Sequence, residues 1–267
     1  MKLTDTKIII SGSTLEAYLY IDREISYDFK VKRSVTRIEV TDDISRLKKI
    51  ESGGKGMRRA KSKLRRIINA NAWKWVRSDG QLYLPVFVTL TFRENIKNVK
   101  DANPLFTRFI KNLTYHITRE KKSYLKYVVV TEFQDRGAIH YHVIFFNLAF
   151  ITGTELALIW EQGFAHIIGI SNVTNVGAYV CKYMAKGFED DRLDGKKRYF
   201  ISRGLKKVVL IRERELARHI FSQVPHNLKK YESEFHDPDG NTIKYIQYQI
   251  DRKRSFVEVI PKLRHFL

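Results

Sequence analysis

Two short stretches hold the residues able to do chemistry. In residues 128–146, VVVTEFQDRGAIHYHVIFF, His140 and His142 stand two positions apart and Glu132 lies eight before His140. Side chains alternate faces along a strand, so His140 and His142 share one face and Tyr141 takes the other. Two β-rich runs flanking Gln134, Asp135, Arg136 and Gly137 spell a hairpin. A loop over 135–137 sets Glu132 opposite His140, with Cβ atoms about 5 Å apart. The result is a two-histidine, one-carboxylate set that can share a metal ion and leave positions open for substrate oxygens or water. The same H-x-H pattern also occurs as a surface or hydrogen-bonded core pair, and it is Glu132 that favours the metal.

The second stretch, residues 175–188, reads NVGAYVCKYMAKGF. At helical spacing Gly177, Val180, Cys181, Met184 and Phe188 form an apolar face, while Tyr179, Lys182, Tyr183 and Lys186 fall on the opposite one. The helix does not need its tyrosines for a core. Two phenols beside two ammonium groups suit phosphate chemistry, because the cations favour phenolate and attract a phosphodiester. Taken alone, such a face is equally a solvated surface.

The elements around these stretches are those of a globular chain. The 267 residues are 43% hydrophobic and 12% aromatic, ample for a core. A net charge of +20 calls for a polyanionic partner, and nucleic acid is the commonest. One cysteine, Cys181, rules out an internal disulfide framework and fits a reducing cytosol. With no signal-peptide pattern and no long apolar run, a soluble intracellular protein without a membrane partner is expected. Strands are expected at 7–12, 14–21 and 28–40. Gly53, Gly54 and Gly56 do not make a phosphate loop, since Met57 stands where that motif requires Lys.

Residues 55–77 hold nine basic side chains and no acidic one. Arg58, Arg59, Lys61, Lys63, Arg65 and Arg66 interleave with Leu64, Ile67 and Ile68, the pattern of a basic amphipathic helix lying along phosphates. Trp73 and Trp75 either stack on bases or belong to the core. Residues 84–92, LPVFVTLTF, read as a central strand. A helix is expected to start at Asn103-Pro104, with Leu105, Phe106, Phe109, Ile110, Leu113 and Ile117 as its stripe. A short helix capped by Thr154 and a strand at 165–170 complete a β-α-β-β-α-β order. The expected fold is α+β, ferredoxin-like, a central antiparallel sheet with helices on one face and β-rich extensions at both ends.

FVTLTF at 87–92, GAIHYHV at 137–143 with Glu132 upstream, and YVCKYMAK at 179–186 arrive in an order that resembles the three motifs of the HUH endonucleases. The likeness is to the rolling-circle replication initiators of phages, plasmids and small single-stranded DNA viruses, and it spans about residues 84–207. It divides the chain into 1–78 (strands and basic helix), 79–207 (nuclease core) and 208–267 (an extension with a hairpin turning at 237–240). The resemblance implies Mg²⁺ or Mn²⁺ on His140, His142 and Glu132, a choice the donor set alone does not make. It implies Tyr183 as first nucleophile, Tyr179 as second, and Lys182 and Lys186 as charge-offsetting neighbours, the order of the tyrosines being open. Its implied partners are single-stranded origin DNA, plain or hairpin, with a host helicase and polymerase in a bacterial cytoplasm. Rivals are a single-tyrosine transposase, a relaxase (whose tyrosine usually precedes the metal motif), and a non-catalytic DNA-binding protein. The last would need a closed fourth metal ligand, and lone Cys181 sits on the wrong helix face.

Overall fold

The computed structural model describes residues 2–22, 24–27, 38–40, 54–184, 190–193, 197–237, 239–260 and 263. In chain order, strands β1 (Lys2–Thr4), β2 (Thr6–Ser11), β3 (Thr14–Tyr20), β4 (Ile25–Tyr27) and β5 (Ile38–Val40) come first. Then follow α1 (Gly54–Asn71), β6 (Val86–Thr91), α2 (Val99–Thr118), β7 (Tyr127–Phe133), β8 (Ile139–Phe145), α3 (Gly153–Trp160), β9 (Ala165–Gly169), α4 (Val176–Tyr183) and β10 (Tyr199–Ile201). The last elements are β11 (Val209–Ile211), α5 (Arg214–Gln223), β12 (Lys229–His236), β13 (Thr242–Gln249) and α6 (Phe256–Val259). The fold is α+β, and its sheets pair antiparallel throughout. Among the described residues no helix is long and apolar enough to cross a membrane.

The chain divides into two units, 50–205 and a discontinuous one made of 1–49 and 206–267. This departs from the three consecutive segments expected, because the terminal segments share one sheet. Its order is β12-β13-β3-β2-β11-β5, so the β2–β3 pair is flanked by C-terminal strands on both sides. One face of that sheet carries Ile8, Ile10, Leu15, Ala17, Ile246 and Tyr248 against Ala217 and Ile220 of α5 and Phe256 of α6. The turn expected at 237–240 is present: Asp237 Oδ1 accepts from the backbone N–H of Asp239 and Asn241, and Gly240 takes a φ of 85°. Of the strand expected over 28–40, Ile38–Val40 is a strand and the rest lies outside the described residues.

The unit 50–205 holds the β-α-β-β-α-β order, and its sheet runs β10-β7-β8-β6-β9. That is the ferredoxin-like strand order with β10 added at one edge. As expected, α2 and α3 cover one face: Phe106, Phe109, Leu113, Leu156 and Trp160 pack on Val88, Leu90, Tyr141, Val143 and Phe145. The other face is not bare. α1 and α4 lie on it, with Leu64, Ile68, Val176, Val180 and Met184 against Phe87, Val128, Val130, Ile144 and Phe146.

Two helix starts differ from expectation. α2 begins five residues earlier, because Asn98 accepts the Lys100 N–H as its cap, and Pro104 sits inside the helix. α3 is capped by Thr152 rather than Thr154. Thr152 and Glu155 close a reciprocal capping box, a T-x-x-E signal visible in the sequence.

Candidate metal and tyrosine site

The hairpin register fixes the site. Glu132 on β7 pairs with His140 on β8, and Phe133 with Ile139, around a loop in which Gly137 takes a φ of 84°. The turn is held from outside as well. Arg136 donates to the backbone oxygens of Phe92 at 2.5 Å and Arg93 at 3.3 Å, which ties the loop to the end of β6. Glu132, His140 and His142 therefore share a face, the one that α1 and α4 cover further along.

On that face His142 is nearly buried between Phe87, whose ring stacks on it with centroids 5.7 Å apart, and two polar partners. Its Nε2–H donates to Glu132 Oε2 at 2.5 Å, and its Nδ1 accepts from Thr89 Oγ1 at 3.2 Å. Thr89 is the cross-strand partner of His142 on β6. Such an outer partner selects which ring nitrogen faces the site, and reading motifs alone missed it. The His140 ring lies 6.0 Å from that of His142, and its Nε2 is buried without a hydrogen-bond partner. Burial holds the His140 imidazole below its ordinary pKa; His142 and Arg136 push the same way and Glu132 opposes them. A neutral imidazole is the form that ligates metals.

These groups fit a divalent cation chemically: an orphaned imidazole nitrogen, a second imidazole and a carboxylate on one face. Their spacing is that of a hydrogen-bonded pair beside a third donor. Two donors on one octahedral cation stand about 3 Å apart, half an ångström wider than Glu132 and His142. Among the described residues no three His, Cys, Asp or Glu side chains are already gathered as a metal cage.

The tyrosine helix is locked against α1. Asn175 Oδ1 caps it by accepting the Ala178 N–H at 2.9 Å, and Asn69 of α1 donates to that same oxygen at 2.8 Å. Asn69 Oδ1 in turn accepts the Gly177 N–H at 2.7 Å. A Cβ on Gly177 would lie 2.2 Å from the Arg65 carbonyl oxygen, so glycine sets how closely the helices approach. None of these three residues was legible as functional from local pattern.

The expected apolar face is in place: Gly177, Val180, Cys181 and Met184 are buried, and burial pushes the Cys181 thiol up to about 11. Lys182 is exposed, while Tyr179 is half-buried at the margin of the apolar cluster rather than fully clear of it. The side chain of Tyr183 and all of Lys186 and Phe188 lie outside the described residues. On α1, Arg58 and Arg59 are exposed, and Lys61, Lys63, Arg65 and Arg66 are half-buried. Trp73 is 7% exposed and Trp75 packs on the same cluster, so both tryptophans serve the core and do not wait for bases.

Comparison with protein families matches residues 85–188 to a family of replication-associated proteins, the ORF2 type, a match consistent with a replication-initiator role. The matched span runs from β6 through α4 and so contains Glu132, both histidines and both tyrosines. Comparison of the chain with curated proteins and with solved structures finds no match.

Proposed function

We propose that this chain is a rolling-circle replication initiator of the HUH type, which nicks and rejoins single-stranded DNA at an origin. One observation carries the reading: Glu132, His140 and His142 collect on the sheet face that the tyrosine helix covers, inside the span that matches a replication-associated family. His140, His142 and Glu132 would hold Mg²⁺ or Mn²⁺, whose Lewis acidity polarises the scissile phosphate when it is bound. Thr89 keeps His142 Nε2 turned toward Glu132 for that purpose.

The Tyr183 phenolate attacks phosphorus. The phosphorus–O3′ bond breaks, the 3′-oxygen leaves and takes up a proton, and the strand's 5′-phosphate stays on the tyrosine as a phosphodiester. Tyr179 attacks the regenerated junction one circle later, and the freed 3′-hydroxyl reverses the first step, so the number of phosphodiester bonds is conserved. Lys182 and Lys186 offset charge on phenolate and phosphate. Arg58, Arg59, Lys61, Lys63, Arg65 and Arg66 lie along the backbone of the strand. A host helicase opens the duplex and a host polymerase extends the 3′-hydroxyl, in a bacterial cytoplasm.

The test is direct. The protein is incubated with single-stranded fragments of its own replicon and Mn²⁺, and covalent adducts are resolved on a denaturing gel. Peptide mass then identifies the modified tyrosine. An adduct on Tyr183 that vanishes with EDTA is expected; an adduct unaffected by EDTA, or one on neither tyrosine, would sink the proposal.

A further inference from the structure

The candidate site does not end at β8. Across the sheet His142 faces Thr89 on β6, and Thr89 faces His166 on the edge strand β9. One row further, His140 faces Thr91, whose N–H bonds the Phe164 carbonyl. His166 and Ile168 therefore lie on the same sheet face as the two histidines, two strand spacings or about 10 Å away, and Phe164, two residues before His166, continues that face.

Here that face is open. Phe164 is 64% exposed, Ile168 is 44% exposed, and His166 is exposed beside them. The rings of Phe164 and His166 lie nearly parallel, 11° apart in plane with centroids 6.3 Å apart. Gly163 sets the approach: at φ 153° it passes so close to β6 that a Cβ would sit 2.5 Å from the Thr91 oxygen. Exposed Arg93 adds a positive charge where its N–H bonds the Gln162 carbonyl.

An uncovered aromatic pair on an edge strand is a liability in a protein with no use for it. On a chain of net charge +20, continuous with a phosphodiester site, its chemistry is that of a platform for bases. We infer that Phe164 and His166 form a base-stacking subsite for the single strand flanking the scissile phosphate. The inference rests on the proposed function: the sheet row places the reacting phosphate over β8 and β6, and the neighbouring bases over β9. Arg93 holds the backbone between them.

Two probes separate stacking from charge. Fluorescence anisotropy in EDTA, where nothing is cut, compares a labelled oligothymidylate with the base-less sugar-phosphate strand of equal length. The full chain should prefer oligothymidylate. F164A and H166A should each weaken that strand about tenfold, the scale of one lost base–aromatic stack. Both variants should leave the base-less strand and the salt dependence unchanged, and F164W should restore the preference. Equal loss on both strands, no loss on either, or a full chain without preference for bases overturns the subsite. Nicking of origin fragments by the unmodified protein in Mn²⁺ is scored in parallel. Base preference without nicking would remove the catalytic reading and leave the platform standing; nicking with an F164A that binds like wild type would do the reverse.

Discussion

The two faces of the sheet in unit 50–205 are made by the same strands and have opposite characters. On β8, Ile139, Tyr141, Val143 and Phe145 point into an aromatic core with no exposure at all. Even the one polar atom there is settled, since the Tyr141 hydroxyl donates to Asn103 Oδ1 at 2.7 Å. One residue over, His140 and His142 point to a face where an imidazole nitrogen has no partner and an ion pair stands beside it. A protein that only needed a stable sheet would have closed both faces alike. Buried polar groups left half-satisfied cost stability, and their persistence on one face marks it for work other than folding.

That contrast can be broken most decisively by cutting into each face. His142→Ala should abolish nicking, leave binding to single-stranded DNA within about twofold, and lower stability by about 1–2 kcal/mol, the scale of hydrogen bonds lost at a buried pair. Phe106→Ala on the closed face should cost about 3–5 kcal/mol. Thermal melts of the two variants check it; if His142→Ala melts as low as Phe106→Ala, the histidine face is merely core.

The tyrosines sharpen the same line. Tyr183→Phe should eliminate the covalent adduct on an origin oligonucleotide without lowering the melting temperature. Tyr179→Phe should keep the adduct and lose transfer of the linked strand. A strand-transfer assay distinguishes them, and a Tyr179→Phe protein that cleaves and rejoins through repeated cycles at the wild-type rate contradicts two nucleophiles.

A smaller effect is expected where α4 meets α1. Gly177→Ala forces a methyl against the Arg65 carbonyl and should cost about 1–3 kcal/mol, with a matching fall in nicking as the tyrosine helix shifts. Gly80→Ala meets nothing within 4 Å and should cost only the strain of its φ of 81°, about 1 kcal/mol. Equal melting of both would mean that the α1–α4 contact yields freely.

Least in size is the effect of charge at the rim. Affinity for single strands should fall with salt by a log–log slope of about −0.7 per contacted phosphate. Replacing Arg58, Arg59, Arg65 and Arg66 with Gln should flatten the slope, most of it through the exposed Arg58 and Arg59. An unchanged slope makes α1 a solvated face only.

What the sequence made legible follows the range of the forces involved. The parity of the hairpin placed Glu132 opposite His140 because a strand has period two. The apolar face of α4 and the stripe of α2 followed from period 3.6. What escaped was set by contacts between distant segments. Asn69 reaching Asn175 and Gly177, the coverage of the second sheet face, and the burial of Trp73 have no local pattern. Pro104 misplaced the start of α2, since proline favours a first turn but Asn98 offers the better cap. Phe164 and His166 read as an ordinary edge until the register aligned them with the two histidines.

The pairing of early and late strands in one sheet has a consequence for synthesis. Thr14 donates to Gln249 Oε1 at 2.9 Å across 235 residues of sequence. At about 5–20 residues per second on the ribosome, β2 and β3 emerge about 10–50 s before their neighbours β11 and β13 exist. Through that interval the hairpin of Ile8, Ile10 and Leu15 is an unfinished sheet with two raw edges, while residues 50–205 have everything required to fold. The unit that carries the histidines is thus complete first. The other sheet, the slower kind of structure because its contacts are so distant in sequence, closes only once β11 and β13 have left the ribosome.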